Sequence, residues 1–89
     1  MPTVTFAPAI QRHVASPPCR VQAATVRAAL DAVFADIPKL RDYVLEDQGQ
    51  LRKHVLIFID NEQIRDRETL SDSVASTAEI YVVQALSGG

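Results

Sequence analysis

The sequence is poor in several features, and each shortage excludes a class of protein. There is one cysteine, Cys19, so no internal disulfide framework can staple the chain, and a reducing cytoplasm is the expected compartment. No run approaches the roughly 18 apolar residues that a membrane helix needs. Met1-Pro2-Thr3-Val4-Thr5-Phe6 lacks a basic segment followed by an apolar one and does not read as a secretory signal. The cations Arg12, Arg20, Arg27, Arg41, Arg52, Lys53, Arg65 and Arg67 are scattered among acids at a formal net charge of −2. No basic stripe for nucleic acid results, and no nucleic-acid partner is expected. His and Cys do not cluster at metal-ligand spacing, so no metal site is expected either.

What is present suits one soluble domain. The chain has 89 residues, 47% of them hydrophobic and 22% charged, too apolar for disorder and too mixed for a membrane protein. At this size the core is thin, and every apolar face must be used.

Thr3 to Phe6 reads as a first strand that could run on toward Ile10. Ser16-Pro17-Pro18 marks a turn, and Arg20-Val21-Gln22-Ala23 is a weak return strand. Thr25 is placed to cap a helix, because its hydroxyl can accept an orphan N–H. Val26, Ala29, Leu30, Val33, Phe34 and Ile37 follow at helical spacing as one apolar stripe. Pro38 ends that helix. Leu40, Tyr43 and Val44 have the spacing of one further turn, and Glu46 to Gln50 reads as an exposed loop. His54 to Ile59 is the strongest strand, followed by a turn at Asp60-Asn61-Glu62 and a very short strand at Gln63-Ile64. Thr69 to Asp72 suggests a hydroxyl-capped turn or one helical turn. Glu79 to Leu86 is the last strand. One helix stripe must cover one face of one mixed sheet. The expected fold class is α+β, with a sheet of four to five strands on one main helix. The expected organisation is a domain over residues 1–86 and a flexible tail over 87–89.

The tail carries the only promising chemistry, and no catalytic residue is expected. Gly88-Gly89 has no side chains, so it can be threaded in extended form through a narrow channel. A terminal carboxylate is inert until adenylation makes it a mixed anhydride, after which a sulfur nucleophile can displace AMP. Two glycines at a frayed end are the plainer alternative. Cys19 lacks a nearby base or resolving thiol and reads as an incidental loop thiol. His13 and His54 lack an orienting carboxylate and read as surface residues. Asp60 and Glu62 read as turn residues, and Arg52-Lys53 as a solvated face.

The run from Leu51-Arg52-Lys53-His54-Val55, through Ile57-Phe58-Ile59-Asp60-Asn61-Glu62-Gln63-Ile64-Arg65, to Ile80-Tyr81-Val82-Val83-Gln84-Ala85-Leu86-Ser87-Gly88-Gly89 resembles the MoaD/ThiS family of sulfur carriers. That resemblance implies a ubiquitin-like β-grasp fold. It also implies that Gly89 is adenylated by an ATP-dependent activating enzyme and converted to a thiocarboxylate, which donates sulfur to a biosynthetic enzyme. The carrier itself binds no cofactor, and ATP belongs to the activating enzyme. Leu86 and Ser87 depart modestly from the residues often found before the two glycines. The long Pro38 to His54 connection looks more like carriers serving cysteine or secondary-metabolite synthesis than like those serving thiamine; molybdopterin is a further recipient in the family.

Side-chain alternation adds a surface. If Val55, Ile57 and Ile59 face the helix, Leu56 and Phe58 face out; if Ile80 and Val82 face in, Tyr81 and Val83 face out. Four outward apolar residues on neighbouring strands form a patch for a partner, unless the Lys39 to Leu51 connection or a second copy covers it. Ubiquitin-like proteins dock on their activating enzymes through such a face, and a monomer is expected when free. Two other readings stay open: a protein modifier joined to lysines through Gly89, and a small subunit of a molybdopterin-synthase-like complex.

Overall fold

The computed structural model describes residues 1–85. Its elements run β1 (Thr3–Phe6), α1 (Pro8–Gln11), β2 (Cys19–Arg20), α2 (Val26–Asp36), α3 (Pro38–Val44), β3 (Val55–Ile59), β4 (Glu62–Gln63) and β5 (Glu79–Gln84). The strands form one mixed sheet in the order β2-β1-β5-β3-β4. β5 lies at its centre, parallel to β1 and antiparallel to β3. The α+β architecture read from the sequence is therefore the observed one. No helix among the described residues is long and apolar enough to cross a membrane.

α2 forms where the apolar stripe predicts it. Val26, Ala29, Leu30, Val33 and Phe34 are its buried residues, and Ile37 is half-buried at the C-cap. Its first three amides would be orphans in isolation. Here each has an acceptor: Val26 N–H donates to the Asp72 carbonyl at 3.0 Å, Arg27 N–H to the Leu70 carbonyl at 2.9 Å, and Ala28 N–H to Thr25 Oγ1 at 3.1 Å. Pro38 both ends α2 and starts α3, since proline fits the first turn, where its missing N–H costs nothing. The further turn expected at Leu40, Tyr43 and Val44 is a full seven-residue helix.

Three readings are corrected. β1 does not run on toward Ile10. Pro8 opens the short helix α1 instead, which drops Ile10 into the core. The return strand is Cys19–Arg20, paired with Val4 and Thr3, and lies one to two residues earlier than the β-branched Val21 suggested. The Thr69 to Asp72 turn is organised by Asp66 rather than by its own hydroxyls. Asp66 accepts hydrogen bonds from the N–H groups of Glu68, Thr69 and Ser71 and from the hydroxyls of Thr69 and Ser71.

That carboxylate does structural work. It shapes the loop in which Leu70 is fully buried at φ 59 and offers its carbonyl to α2. The hydrogen bonds from Ser71 and then Thr69 hold the Asp66 carboxyl far below the usual carboxylate range. A pKa lowered on folding gives stability that is present above the unfolded value and lost as pH falls toward the folded one. We expect wild-type stability to decline as pH drops below about 4. Asp66→Asn should be less stable at neutral pH and should show a shallower decline. Denaturant titrations from pH 7 to pH 2 measure both; equal slopes would contradict this role.

Candidate functional site: the outer sheet face and the root of the C-terminal segment

β5 pairs with β3 from Val55↔Gln84 to Ile59↔Ile80, and with β1 from Thr3↔Glu79 to Phe6↔Val82. Being central, it has its register fixed from both sides. Ile80 and Val82 point inward and are 0% exposed, as are Val55 and Ile57 on β3. Leu56, Phe58 and Val83 are half-buried on the opposite face, and Tyr81 is 40% exposed. The register sets Phe58 opposite Tyr81 and Leu56 opposite Val83, so the four residues of the expected patch share one face on adjoining strands. The 39–51 connection does not cover them. Its apolar residues Leu40, Val44, Leu45 and Leu51 belong to the core with Val55 and Ile57.

The patch opens into a cleft of about 410 Å³ that also takes in Thr5, Asp60, Asn61 and Glu79. Asp60 and Asn61, at φ 49 and 74, are the two central residues of the β3–β4 hairpin. This is the primed turn in which short polar side chains tolerate the left-handed region. Asp60 Oδ1 accepts the Glu79 N–H at 2.9 Å. The hairpin is thereby tied to the start of β5, and two carboxylates stand at one end of the cleft. Along β5 the outer face passes from acid (Glu79) through aromatic (Tyr81) to aliphatic (Val83).

At the far end the last described residue is firmly held. Ala85 N–H donates to the His54 carbonyl at 2.7 Å, extending the β3–β5 ladder one residue past Gln84. The Gln84 side chain accepts a 2.6 Å hydrogen bond from the Tyr43 hydroxyl of α3. The His13 ring stacks on Tyr43 at a centroid distance of 5.3 Å. The expected tail residues Leu86, Ser87, Gly88 and Gly89 lie outside the described residues, and so does the end of the strand expected to reach Leu86.

Other candidate residues fall elsewhere. Cys19 sits on β2, half-buried against the core, rather than in a loop; its thiol donates to the Pro17 carbonyl at 3.3 Å. Arg52 is no solvated cation, for it pairs with Glu46 at 2.8 Å and donates to the Asp42 carbonyl, while Lys53 is exposed. Among the described residues no group of three or more His, Cys, Asp or Glu could hold a metal ion. Sequence reasoning missed two features: the Tyr43–Gln84 bond, whose partners lie 41 residues apart, and the Asp60–Glu79 tie. The alternation that placed Tyr81 outward was the available signal for the second, because Glu79 precedes it by two on the same face.

No protein-family model matches the sequence, and no curated protein matches it. Solved structures do. The architecture defines the chain as a ubiquitin-like β-grasp protein. More particularly, it shares this fold over nearly its whole length with solved structures of small archaeal modifier proteins and of CysO. Small archaeal modifier protein 1 of Haloferax volcanii is 26% identical, with 99% of this chain and 98% of that one covered at a TM-score of 0.82. A chain of the Amycolatopsis orientalis BexX/CysO complex is 18% identical, with 100% of both chains covered at 0.83. Mycobacterium tuberculosis CysO is 17% identical, with 97% of this chain and 100% of that one covered at 0.81.

The two sheet faces differ in energetic role. Ile80→Ala should cost about 2–5 kcal/mol, through lost burial and the cavity left behind. Tyr81→Ser should cost clearly less, because Tyr81 stays 40% exposed in the folded chain while Ile80 is 0% exposed. Urea denaturation of the two variants checks the assignment; a Tyr81→Ser loss matching that of Ile80→Ala would reverse it.

Proposed function

We propose that the chain is a sulfur carrier, a protein acted upon through the carboxylate of Gly89. One Gly89 oxygen attacks the α-phosphorus of ATP on an activating enzyme, and pyrophosphate leaves. A hydrosulfide-level nucleophile then attacks the acyl carbon and AMP leaves with the bonding pair, giving a thiocarboxylate. That group passes its sulfur to a biosynthetic enzyme, which we place in cysteine or secondary-metabolite synthesis because of the long 38–54 connection. The observation that supports this reading best is the delivery of the C-terminal segment. The central strand of a β-grasp sheet ends at Gln84, Ala85 is held by the His54 carbonyl, and Gly88-Gly89 follows a few residues on in the sequence.

The outer face is the proposed docking surface for the activating enzyme. Phe58 and Tyr81 offer the apolar anchor, and Asp60 and Glu79 at one end of the cleft favour a partner that presents an arginine or lysine there. A second reading, a modifier joined to lysines of other proteins, gains support from the 26% identical archaeal modifier protein. Both readings require the same activated carboxylate and part only at the acceptor.

Intact mass spectrometry after co-expression with the activating enzyme should show a gain of about 16 Da, one oxygen replaced by sulfur at an activated carbonyl. Deleting Gly89 should abolish the gain, and its persistence would refute the proposal. Lysine conjugates that also vanish on deletion, with no such gain, would favour the modifier. Glu79→Lys should raise the KM of the activating enzyme for this chain by roughly tenfold at low salt and less at high salt.

A further inference from the structure

With Gly89 as the reacting group, the segment between the sheet and the chemistry has a short reach. From Leu86 to Gly89 there are four residues, which span at most about 14 Å when extended. If the end of β5 frayed by one residue, the point from which the segment starts would shift by about 3.3 Å, a large share of that reach. Where the segment is rooted therefore decides where its carboxylate can go, and a strand end in water frays readily.

Two different elements hold this strand end. On the sheet side, the Ala85 N–H is paired with the His54 carbonyl at 2.7 Å. On the helix side, the Tyr43 hydroxyl holds the Gln84 Oε1 at 2.6 Å. Tyr43 is half-buried, its ring carries the His13 stack, and its neighbour Val44 is fully buried on the same helix. The hydroxyl is thus presented by a rigid element, not by a loose loop, and a partly desolvated bond of this kind is stronger than one in open water. The bond adds no fully buried side chain to the core, against which the Tyr43 ring packs only partly buried. Its evident effect is on the last residues before the C-terminal segment.

We infer that Tyr43 and Gln84 form a clamp on the root of the C-terminal segment, and that they are positioning residues for the chemistry at Gly89. This rests on the carrier-or-modifier reading for its consequence, though not for the clamp itself. By fixing Gln84, the clamp keeps the Ala85–His54 bond closed and so holds the residue from which the segment starts. The partner then pays less ordering entropy to draw Gly89 into its site.

The test has two arms. In the chain alone, Tyr43→Phe keeps the ring and its stack but removes the donor, and Gln84→Leu removes the acceptor. Amide hydrogen exchange at Ala85 should accelerate roughly five- to tenfold in each, the factor that one net hydrogen bond supplies. The double variant should be no faster than either single one, since both remove the same bond. Gln84→Glu, which still accepts, should exchange as the wild type does. Unchanged Ala85 exchange in both single variants would overturn the clamp, and so would additive effects. With the activating enzyme, pyrophosphate exchange should show KM for the chain raised about fivefold in Tyr43→Phe and kcat unchanged. Wild-type KM in a variant with fast Ala85 exchange would overturn the positioning role. The first arm needs no activating enzyme, so failure of the Gly89 chemistry itself would appear separately, as no pyrophosphate exchange with the wild-type chain.

Discussion

The ladder that holds β5 between β1 and β3 is the constraint on which the rest of the molecule depends. It pairs the last strand with the first in parallel and with the third in antiparallel register. A single alternation then settles three things together. Ile80 and Val82 complete the core beneath α2, Tyr81 and Val83 are left on the open face, and the strand stops at the root of the segment that carries Gly88-Gly89. A slip of one residue would exchange the two faces, burying Tyr81 and exposing Ile80 and Val82. Core and surface therefore specify the same register.

The helix side is built to leave that arrangement undisturbed. α2 lays one apolar stripe on the sheet, and its N-terminal amides are met by Thr25 and by carbonyls of the Asp66-centred loop. α3 continues after Pro38 and closes the core with Leu40 and Val44. The Glu46 to Gln50 loop is tied back to α2, where Arg27 donates to the Gly49 carbonyl at 2.9 Å. Gly49 sits at φ 95 directly against that guanidinium, where an added Cβ would be 3.2 Å from it. All of this apolar closure lies on one side of the sheet, and among the described residues the connection between α2 and β3 leaves the other side uncovered.

Much of the architecture was legible in the residues because it is periodic. The 3.6-residue stripe from Val26 to Phe34 and the two-residue alternation of Val55–Ile59 and Glu79–Val83 each state which side is buried. Thr25 and Pro38 mark the helix limits by local chemistry. What was illegible is what depends on distant partners or on irregular backbone. Pro8 reads equally as a strand end or as a first helical residue, and only the space under the sheet for Ile10 decides. Asp66 is one acid among several until Thr69 and Ser71 fold around it. Tyr43 and Gln84 meet only through the tertiary fold, and nothing near either residue announces the other. The shared face of Leu56, Phe58, Tyr81 and Val83 was readable from alternation, although Tyr81 alone of the four is exposed and the others are half-buried.

The central claim is that this protein is a substrate whose reacting group is the Gly89 carboxylate, carried on a β-grasp scaffold. Isotope exchange between pyrophosphate and ATP on the purified activating enzyme tests it most directly, because it reports adenylation whether sulfur or a lysine is the later acceptor. The account predicts exchange that saturates with the full chain and is lost when Gly89 is deleted. Exchange that proceeds equally with the shortened chain would contradict it.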